Sequence, residues 1–587
     1  MIKLASLQTI SDDFFKTISR FKWVAAAAIC KTAVLLRLAE TTGDLHEQQL
    51  MVRLSFVVFL AVPLTLAIQL LSERKQWKPA INLGLNISVI LILIAYYFSI
   101  GEDPNLADTY VFGLFMVGAH LIVAYAPFLA SANTNGFWQY NKTLFLQFLN
   151  ASLYSITLFI GLIIAVETIK FLFNVTYLFK AQQDLFIVIS VFFHTIFFLS
   201  KIPENLDSLE NEDSYPSGLK IFTQYVLLPL EVVYMVILYA YTIKIIFEWK
   251  LPDGGVAYLV MAFSIAGILA LLLLHPLREN AKEKWVRLFS RRFYIALLPL
   301  IFLLFIGIFR RIHDYGMTEN RIIIAVLAFW LAGTTLYFLL HKRADIRWIP
   351  LSLSALSIVL VIGPWNIFAV SRKSQLRQFQ EILANNKLLD KKNQIAGKAT
   401  ISNDDYNRLT SIIQFHRTRE IYGLEPYFVK LKPKLGTTYQ HYVNMEEVLA
   451  KHITSNGKSR FSNENYVNFS SKGLGDFNRS IEIDSLTQMR FFNLVNGTEF
   501  TTEKYKVTTQ ANGRFIHIHK NNKKLVTWDL SKTTARLRDD YGSFSDRVPV
   551  KSLTVTLKTD SDHIVILFQY LNHSGEFYSG EAIMMYR

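Results

Sequence analysis

Residues 351–377 read LSLSALSIVLVIGPWNIFAVSRKSQLR, and the chain changes character inside them. Up to Val370 it is a succession of apolar runs of membrane-spanning length; from Ser371 these runs stop. Ser371, Arg372, Lys373, Ser374, Gln375 and Arg377 fall within seven residues, while Leu376, Phe379 and Leu383 recur at helical spacing. A short amphipathic helix is therefore expected to leave the membrane here. The whole-chain values average two regimes. A mean hydropathy of +0.27 and 18% charged residues over 587 residues are too apolar for a soluble protein, where about a quarter are charged.

A hydrocarbon core about 30 Å thick needs roughly 20 apolar residues in a helix. Eleven segments qualify: 23–38, 54–71, 80–100, 110–130, 144–168, 183–200, 221–247, 256–275, 293–309, 322–340 and 348–369. The first is interrupted by Lys31 and Arg37 and reads either as a span or as an interfacial segment. The fold class is thus a polytopic α-helical membrane bundle of about eleven spans, followed by a C-terminal soluble α+β domain with an antiparallel sheet. The expected division is 1–22, a cytoplasmic N-terminal segment; 23–370, the transmembrane domain; and 371–587, an extracytoplasmic soluble domain.

Orientation follows from Lys and Arg. The N-terminus and the loops 72–79, 131–143, 201–220, 276–292 and 341–347 hold about 19 of them, against about 7 in the opposite short loops. The positive-inside rule then puts the N-terminus in the cytoplasm and everything after Ala369 outside, in the cytoplasmic (inner) membrane of a bacterium. Residues 1–22 carry Asp12, Asp13, Lys16, Arg20 and Lys22 without a compact apolar core, so the first span is expected to act as an uncleaved anchor. The net charge of +15 belongs largely to orientation-setting loops, and nucleic acid is not expected as a partner. The one cysteine, Cys30, excludes an internal disulfide and Cys-based zinc sites.

In the last third, a helix is expected over 403–420, with Asp404 and Asp405 in its first turn and Gly423 beyond its end. Residues 514–520 and 524–530 flank Asn521 and Asn522, and 553–557 and 564–570 flank Asp560 and Ser561; both read as hairpins. Lys430, Lys432 and Lys434 alternate along an expected strand and share a face. That face reads as plain solvated surface or as a contact for anionic lipid or an anionic envelope component.

Four stretches together resemble a family of bacterial integral membrane proteins, domain-of-unknown-function family 4153. They are Phe137-Trp138-Gln139-Tyr140-Asn141; Leu228-Pro229-Leu230-Glu231 running on to Leu238-Tyr239-Ala240-Tyr241; Arg311-Ile312-His313-Asp314-Tyr315-Gly316-Met317-Thr318-Glu319-Asn320-Arg321; and Gly363-Pro364-Trp365 with Ser371, Ser374-Gln375 and Arg377. The resemblance covers the membrane region and the exit from it, not about the last hundred residues. It implies architecture and a bacterial cytoplasmic membrane, and carries over no catalytic residue.

Ionisable groups inside a span cost about 2.5–3.5 kcal/mol at mid-helix, so each needs a partner or an aqueous cavity. Glu231 lies about ten residues, roughly 15 Å, into its span, and Pro229 frees the carbonyl of Tyr225 beside it. Tyr234, Leu238 and Tyr241 share its face at helical spacing. It reads as a proton or cation site, or as a neutral carboxyl bonded to a neighbouring helix. His120, near a midplane, and His194, closer to a cytoplasmic end, are either partners of Glu231 or structural histidines. Arg310, Arg311 and Arg321 sit on the side where positive residues are disfavoured, which asks for a specific partner: Asp314 or Glu319, the soluble domain, or an anionic ligand.

His517 and His519 point to one side of a strand, but zinc needs three or four protein ligands and no third is indicated, so no metal is expected. Gly397-Lys398 lacks the upstream glycine of a phosphate-binding loop, Gly473 to Asp476 forms no dinucleotide fingerprint, and no serine-hydrolase elbow or zinc-protease helix is present. No cofactor is expected. Transport or handling of lipids or an envelope component, with the soluble domain as accessory, fits best. An envelope sensor or assembly scaffold competes with it. A membrane-embedded transferase or hydrolase ranks last, because the carboxylates and histidines are too scattered.

Overall fold

The computed structural model describes all residues except 1–6, 42–44, 130–133, 174–178, 249–254, 279–283, 342–343, 396–398, 430–444, 447–448, 450–451, 456–465, 471–487, 496, 522, 542–543, 546–547, 560, 575 and 587. The chain forms two compact units, Met1–Ser374 and Gln375–Arg587. Lys430, Lys432 and Lys434, Gly397-Lys398 and Gly473 to Asp476 lie outside the described residues.

The first unit is helical throughout. Its elements are α1 (Leu7–Arg20), α2 (Lys22–Glu40), α3 (Leu45–Lys75), α4 (Pro79–Ser99), α5 (Leu106–Tyr125), α6 (Thr134–Phe173), α7 (Phe179–Ile187), α8 (His194–Ser200), α9 (Ser217–Ile221), α10 (Leu228–Glu248), α11 (Gly255–Leu273), α12 (Lys284–Tyr315), α13 (Glu319–Leu340), α14 (Trp348–Val359) and α15 (Ile367–Asn385), the last running into the second unit. One π-helical turn, Val188–Phe193, joins α7 to α8, and another, Phe222–Leu227, joins α9 to α10. Among the described residues nine helices are long and apolar enough to cross a membrane.

Two of the eleven segments read from the sequence fall outside those nine, for different reasons. Helix α2 carries Lys22, Lys31, Arg37 and Glu40 within 19 residues. It is nevertheless pinned along spanning helix α3 at both ends: Arg20, just before α2, donates to Glu73 Oε1 at 3.0 Å, and Arg37 donates to Glu47 Oε1 at 2.6 Å. Glu47 and Glu73 are at opposite ends of α3, so α2 runs the same thickness antiparallel to it. Its Lys31 ammonium lies 3.7 Å over the Phe59 ring.

Helix α14 has only 12 residues, about 18 Å, because the chain turns at Gly363, where φ is +90°, before Pro364. Its start is fixed where Arg347 donates to the Phe128 carbonyl at 3.0 Å, at the same end as the close of α13. Its continuation is fixed at the other end of α13: Ser371 Oγ donates to Glu319 Oε1 at 2.8 Å, and the Met317 amide to Ser374 Oγ at 2.8 Å. Residues 348–371 therefore return across the thickness that α13 covers, about 33 Å for 22 residues.

The core of this unit packs α11, α12 and α13 together around Phe263, Phe293, Leu300, Leu304 and Leu331, all buried. With lipid outside rather than water, tight approach decides helix pairing, and small residues make it possible. Gly267 leaves the notch that Phe293 fills: a Cβ there would lie 2.0 Å from the ring's Cζ. Gly118 does the same for α14, where a Cβ would lie 2.5 Å from Ser357 Oγ.

The second unit has two cores. Phe379, Ile382 and Leu383 of α15 pack with Tyr406, Leu409, Ile412 and Ile413 of α16 (Asn403–Thr418). Ser402 caps α16 by accepting from the Asp405 amide at 3.1 Å, and Gly423 beyond the helix adopts a φ of +148°. Strands β1 (Ala399–Ile401) and β2 (Ile453–Ser455) form a parallel pair, and a short helix α17 (Glu425–Phe428) adds Phe428 to this core.

The other core lies between sheets. One contains β3 (Tyr466–Ser470), β4 (Gln488–Leu494), β9 (Phe544–Ser545), β10 (Thr554–Lys558), β11 (His563–Ser574) and β12 (Phe577–Tyr586), in the order β4-β12-β11-β3-β9 with β10 also on β11. The second is a meander of β5 (Glu499–Thr501), β6 (Lys506–Gln510), β7 (Phe515–Lys520) and β8 (Lys523–Asp529). All pairings in these two sheets are antiparallel except β3 with β9. Both hairpins read from the sequence are present, with Asn521 at a φ of +51° in the first turn.

Helix α18 (Leu530–Tyr541) follows directly on β8. Asp529 begins it, accepting from the Ser531 amide at 3.0 Å while the Arg514 guanidinium grips both its oxygens at 2.9 and 3.0 Å. Asp562 ties the two sheets: Lys520 Nζ and the Tyr505 hydroxyl each donate to its Oδ1 at 2.6 Å, and Ser561 Oγ to Oδ2 at 2.6 Å.

Two outcomes follow from this packing. Gly267→Leu should destabilise the full-length protein by about 1–3 kcal/mol or more in detergent thermal unfolding. Gly161→Leu, where nothing lies within 4 Å, should leave it unchanged. Lys520, then Ser561 and Tyr505, hold the Asp562 carboxyl down to about 2. A depressed folded value contributes stability that is present above the unfolded value of about 3.9 and is lost as pH falls through 2. Asp562→Asn should therefore lower stability of the C-terminal unit by about 1–3 kcal/mol at pH 7. The gap to wild type should close as unfolding is measured at falling pH between 4 and 2.

Candidate functional site

Helix α10 enters through its π-helical turn. Pro229 has no amide hydrogen to bond back along the helix, and the backbone widens ahead of it: the Leu228 amide donates to the Thr223 carbonyl, five residues back. Glu231 follows three residues later, near the middle of the continuous helix Ser217–Glu248. It is 4% exposed, and its Oε2 is buried without a hydrogen-bond partner among the described residues. Leu228 and Leu238 on either side of it are buried, against α11 and the unit's core. A carboxylate in that setting is held either by a proton or by a cation.

The other residues singled out from the sequence distribute differently. Tyr234 is 50% exposed and so does not line the buried face. Tyr241 is partly buried against the core. Tyr239, which the sequence reading passed over, is the tyrosine of this helix that reaches across, donating to the Ala296 carbonyl of α12 at 2.7 Å. The buried arc centres on Glu231 and Leu238, and at 100° per residue Met235 and Tyr239 fall on its packed flank.

His120 is exposed, with Nδ1 2.8 Å from the carbonyl of Met116 one turn earlier. His194 follows the second π-helical turn, its amide bonding the Ile189 carbonyl five residues back, and its Nε2 faces Ser152 Oγ at 3.2 Å. Among the described residues neither histidine bonds Glu231.

At the α12–α13 turn the three arginines divide. Arg310 lies 3.5 Å from Asp314, which His313 also approaches at 3.2 Å. Arg321 donates to the carbonyls of Tyr315 and Gly316 at 2.9 and 2.8 Å, closing the end of α12. Glu319 is fully buried on Ser371 rather than paired with an arginine of the turn. Arg311 has no recorded hydrogen bond or ion pair among the described residues.

A third cluster, at the end of the unit where α1 meets the 201–216 loop, is not among the site candidates read from the sequence, although Phe137–Asn141 is one of the family-like stretches. Arg20 donates to the carbonyls of Ile202 and Pro203, each at 2.7 Å, and Arg74 donates to that of Leu206 at 3.0 Å while pairing with Glu210. The Phe137–Asn141 motif completes the grip. Trp138 donates to the Leu272 carbonyl at 2.7 Å, Gln139 to that of Glu212 at 2.8 Å, Tyr140 to that of Val123 at 2.9 Å and Asn141 to that of Ala124 at 2.9 Å. Ser214, and then Lys142, hold the Glu212 carboxyl below the usual range.

In the second unit His517 bonds Thr527 Oγ1 at 2.8 Å and lies 3.2 Å from Gln510, while His519 Nδ1 is buried without a partner among the described residues. Among the described residues no three His, Cys, Asp or Glu side chains converge as metal ligands.

Apolar helices of spanning length, paired through small residues and followed by a separate sheet-containing unit, define a polytopic α-helical membrane protein with a C-terminal α+β unit. The chain belongs to the family described as Domain of unknown function (DUF4153), whose model matches residues 24–392. The match takes in the membrane unit and α15, and leaves a longer C-terminal stretch uncovered than the resemblance by motif suggests. The chain is also similar to an uncharacterised protein of Pasteurella multocida (strain Pm70), with 25% identity over 392 residues. That alignment covers 65% of this chain and 64% of the relative, so the chain spans just under two thirds of the relative's length. No solved structure matches.

Proposed function

We propose that this protein moves, or hands on, a lipid or another envelope component in the cytoplasmic membrane of a bacterium, with Glu231 as the ionisable group at the centre of the membrane unit. The observation that carries the reading is the Glu231 carboxylate: buried, lacking a partner at Oε2, and set behind a π-helical turn and a proline. Single π-helical turns inside α-helices are frequent at functional sites, because they cost backbone bonding that packing alone does not ask for. A structural Glu would be expected to have found a donor. The charge distribution supports a cytoplasmic N-terminus and an extracytoplasmic C-terminal unit, which then acts as the accessory domain. An envelope sensor or scaffold accounts for that unit but gives no role to the buried carboxylate.

Glu231→Gln keeps size and most hydrogen-bonding capacity while removing titration. In complementation of a deletion strain it should abolish function at normal membrane abundance. Full function with Gln, or failure of Glu231→Ala through low abundance alone, would leave Glu231 a packing residue.

A further inference from the structure

The turn between α12 and α13 concentrates positive charge that the chain itself does not neutralise. Arg321 is anchored there by the Tyr315 and Gly316 carbonyls, and its guanidinium lies 5.6 Å from the Tyr315 ring. Arg311 is one helical turn before Tyr315 and so rises on the same face. It stands as a like charge beside Arg321 across the Tyr315 ring. The carboxylates of the turn are committed elsewhere, Asp314 to Arg310 and His313, and Glu319 to Ser371. Two adjacent guanidiniums repel, and holding them together without a counter-charge is unfavourable unless an anion completes the group.

We propose that Arg311 and Arg321, beside Tyr315, form a binding site for a phosphate group at the membrane surface. Guanidinium donors match the oxygens of a phosphate in a planar, two-pronged geometry, and a tyrosine hydroxyl adds a neutral donor. One guanidinium is fixed by the α12 carbonyls and so loses little freedom on binding. Arg310 takes no part, being held by Asp314. The site rests on the lipid- or envelope-handling reading only for its biological sense, since its geometry is independent of Glu231. The phosphate has two possible sources, a phospholipid headgroup or a soluble phosphate compound.

The test uses the full chain purified in detergent. Retention of phosphatidylglycerol is compared with that of a diacylglycerol of the same acyl chains by native mass spectrometry, and inorganic phosphate is tested separately for thermal stabilisation. Wild type should retain phosphatidylglycerol over diacylglycerol, and Arg311→Gln should weaken that retention roughly tenfold with an unchanged lipid-free melting temperature. Arg310→Gln should retain it as wild type does; the readout is retention at the turn and not the complementation that tests Glu231, so failure here leaves the Glu231 reading standing. Stabilisation by inorganic phosphate alone, lost in Arg311→Gln, would keep the site and assign a soluble ligand. Retention and stabilisation both indifferent to Arg311, or equally reduced by Arg310→Gln, would overturn it.

Discussion

A helix ending inside or beside a bilayer leaves its last carbonyls without partners, and water is scarce there to take them. The membrane unit meets this constraint repeatedly and in one way, by a side chain from another element. The closing carbonyls of α5, at Val123 and Ala124, accept from Tyr140 and Asn141, and the adjacent Phe128 carbonyl accepts from Arg347. Those of α11, at Leu272 and Leu273, accept from Trp138 and Tyr215. The end of α12 accepts from Arg321, and the turn after α8 accepts from Arg20. Because Arg347, Arg20, Trp138 and Tyr215 come from segments distant in sequence, their bonds that finish helices also set which helices are neighbours. Of the four stretches that resemble the family, 137–141 owes Trp138, Tyr140 and Asn141 to this duty, and 311–321 contributes Arg321 to it.

That observation separates what the sequence made legible from what it did not. Spans, hairpins and the capped helix α16 depend on local pattern, and the 521–522 and 560–561 turns and the helix beginning at Asn403 were readable because nothing distant decides them. Lys31 and Arg37 make α2 look doubtful in sequence, and only the pairings of Arg20 with Glu73 and of Arg37 with Glu47 show that it follows α3 across. Gly363 and Pro364 were visible, but not that the chain closes the crossing beyond them through Ser371 and Ser374. On α10 periodicity gave the buried arc its centre at Glu231 and missed its direction. Tyr234 and Tyr239 lie on opposite flanks of that arc, and a neighbouring helix, not the pattern, decides which is covered.

Polar residues in the unit now fall into two kinds. Trp138, Gln139, Tyr140, Arg20, Arg74 and Glu319 have partners that explain their presence through packing. Among the described residues Glu231, at Oε2, and Arg311 have none, and they lie in different parts of the unit: one in the middle of a distorted helix, one at the turn beside Tyr315 and Gly316. The two π-helical turns fall beside Glu231 and His194. A route or relay between these positions is not required by the geometry, and His194 is accounted for by Ser152.

With α2 and residues 348–371 both running through the bilayer, as we propose, the N-terminal helix and the C-terminal unit are expected on opposite sides of it. Single-cysteine labelling tests this directly, since Cys30 is the chain's one cysteine and lies exposed on α2, where Cys30→Ser costs little. In that background Glu576→Cys should react with a membrane-impermeant maleimide in intact cells, and Glu204→Cys and Asp12→Cys only after the membrane is opened. Labelling of Glu204→Cys and Glu576→Cys from the same side would contradict the crossing at 348–371, and labelling of Asp12→Cys from the side opposite to Glu204→Cys would contradict the crossing of α2 alongside α3.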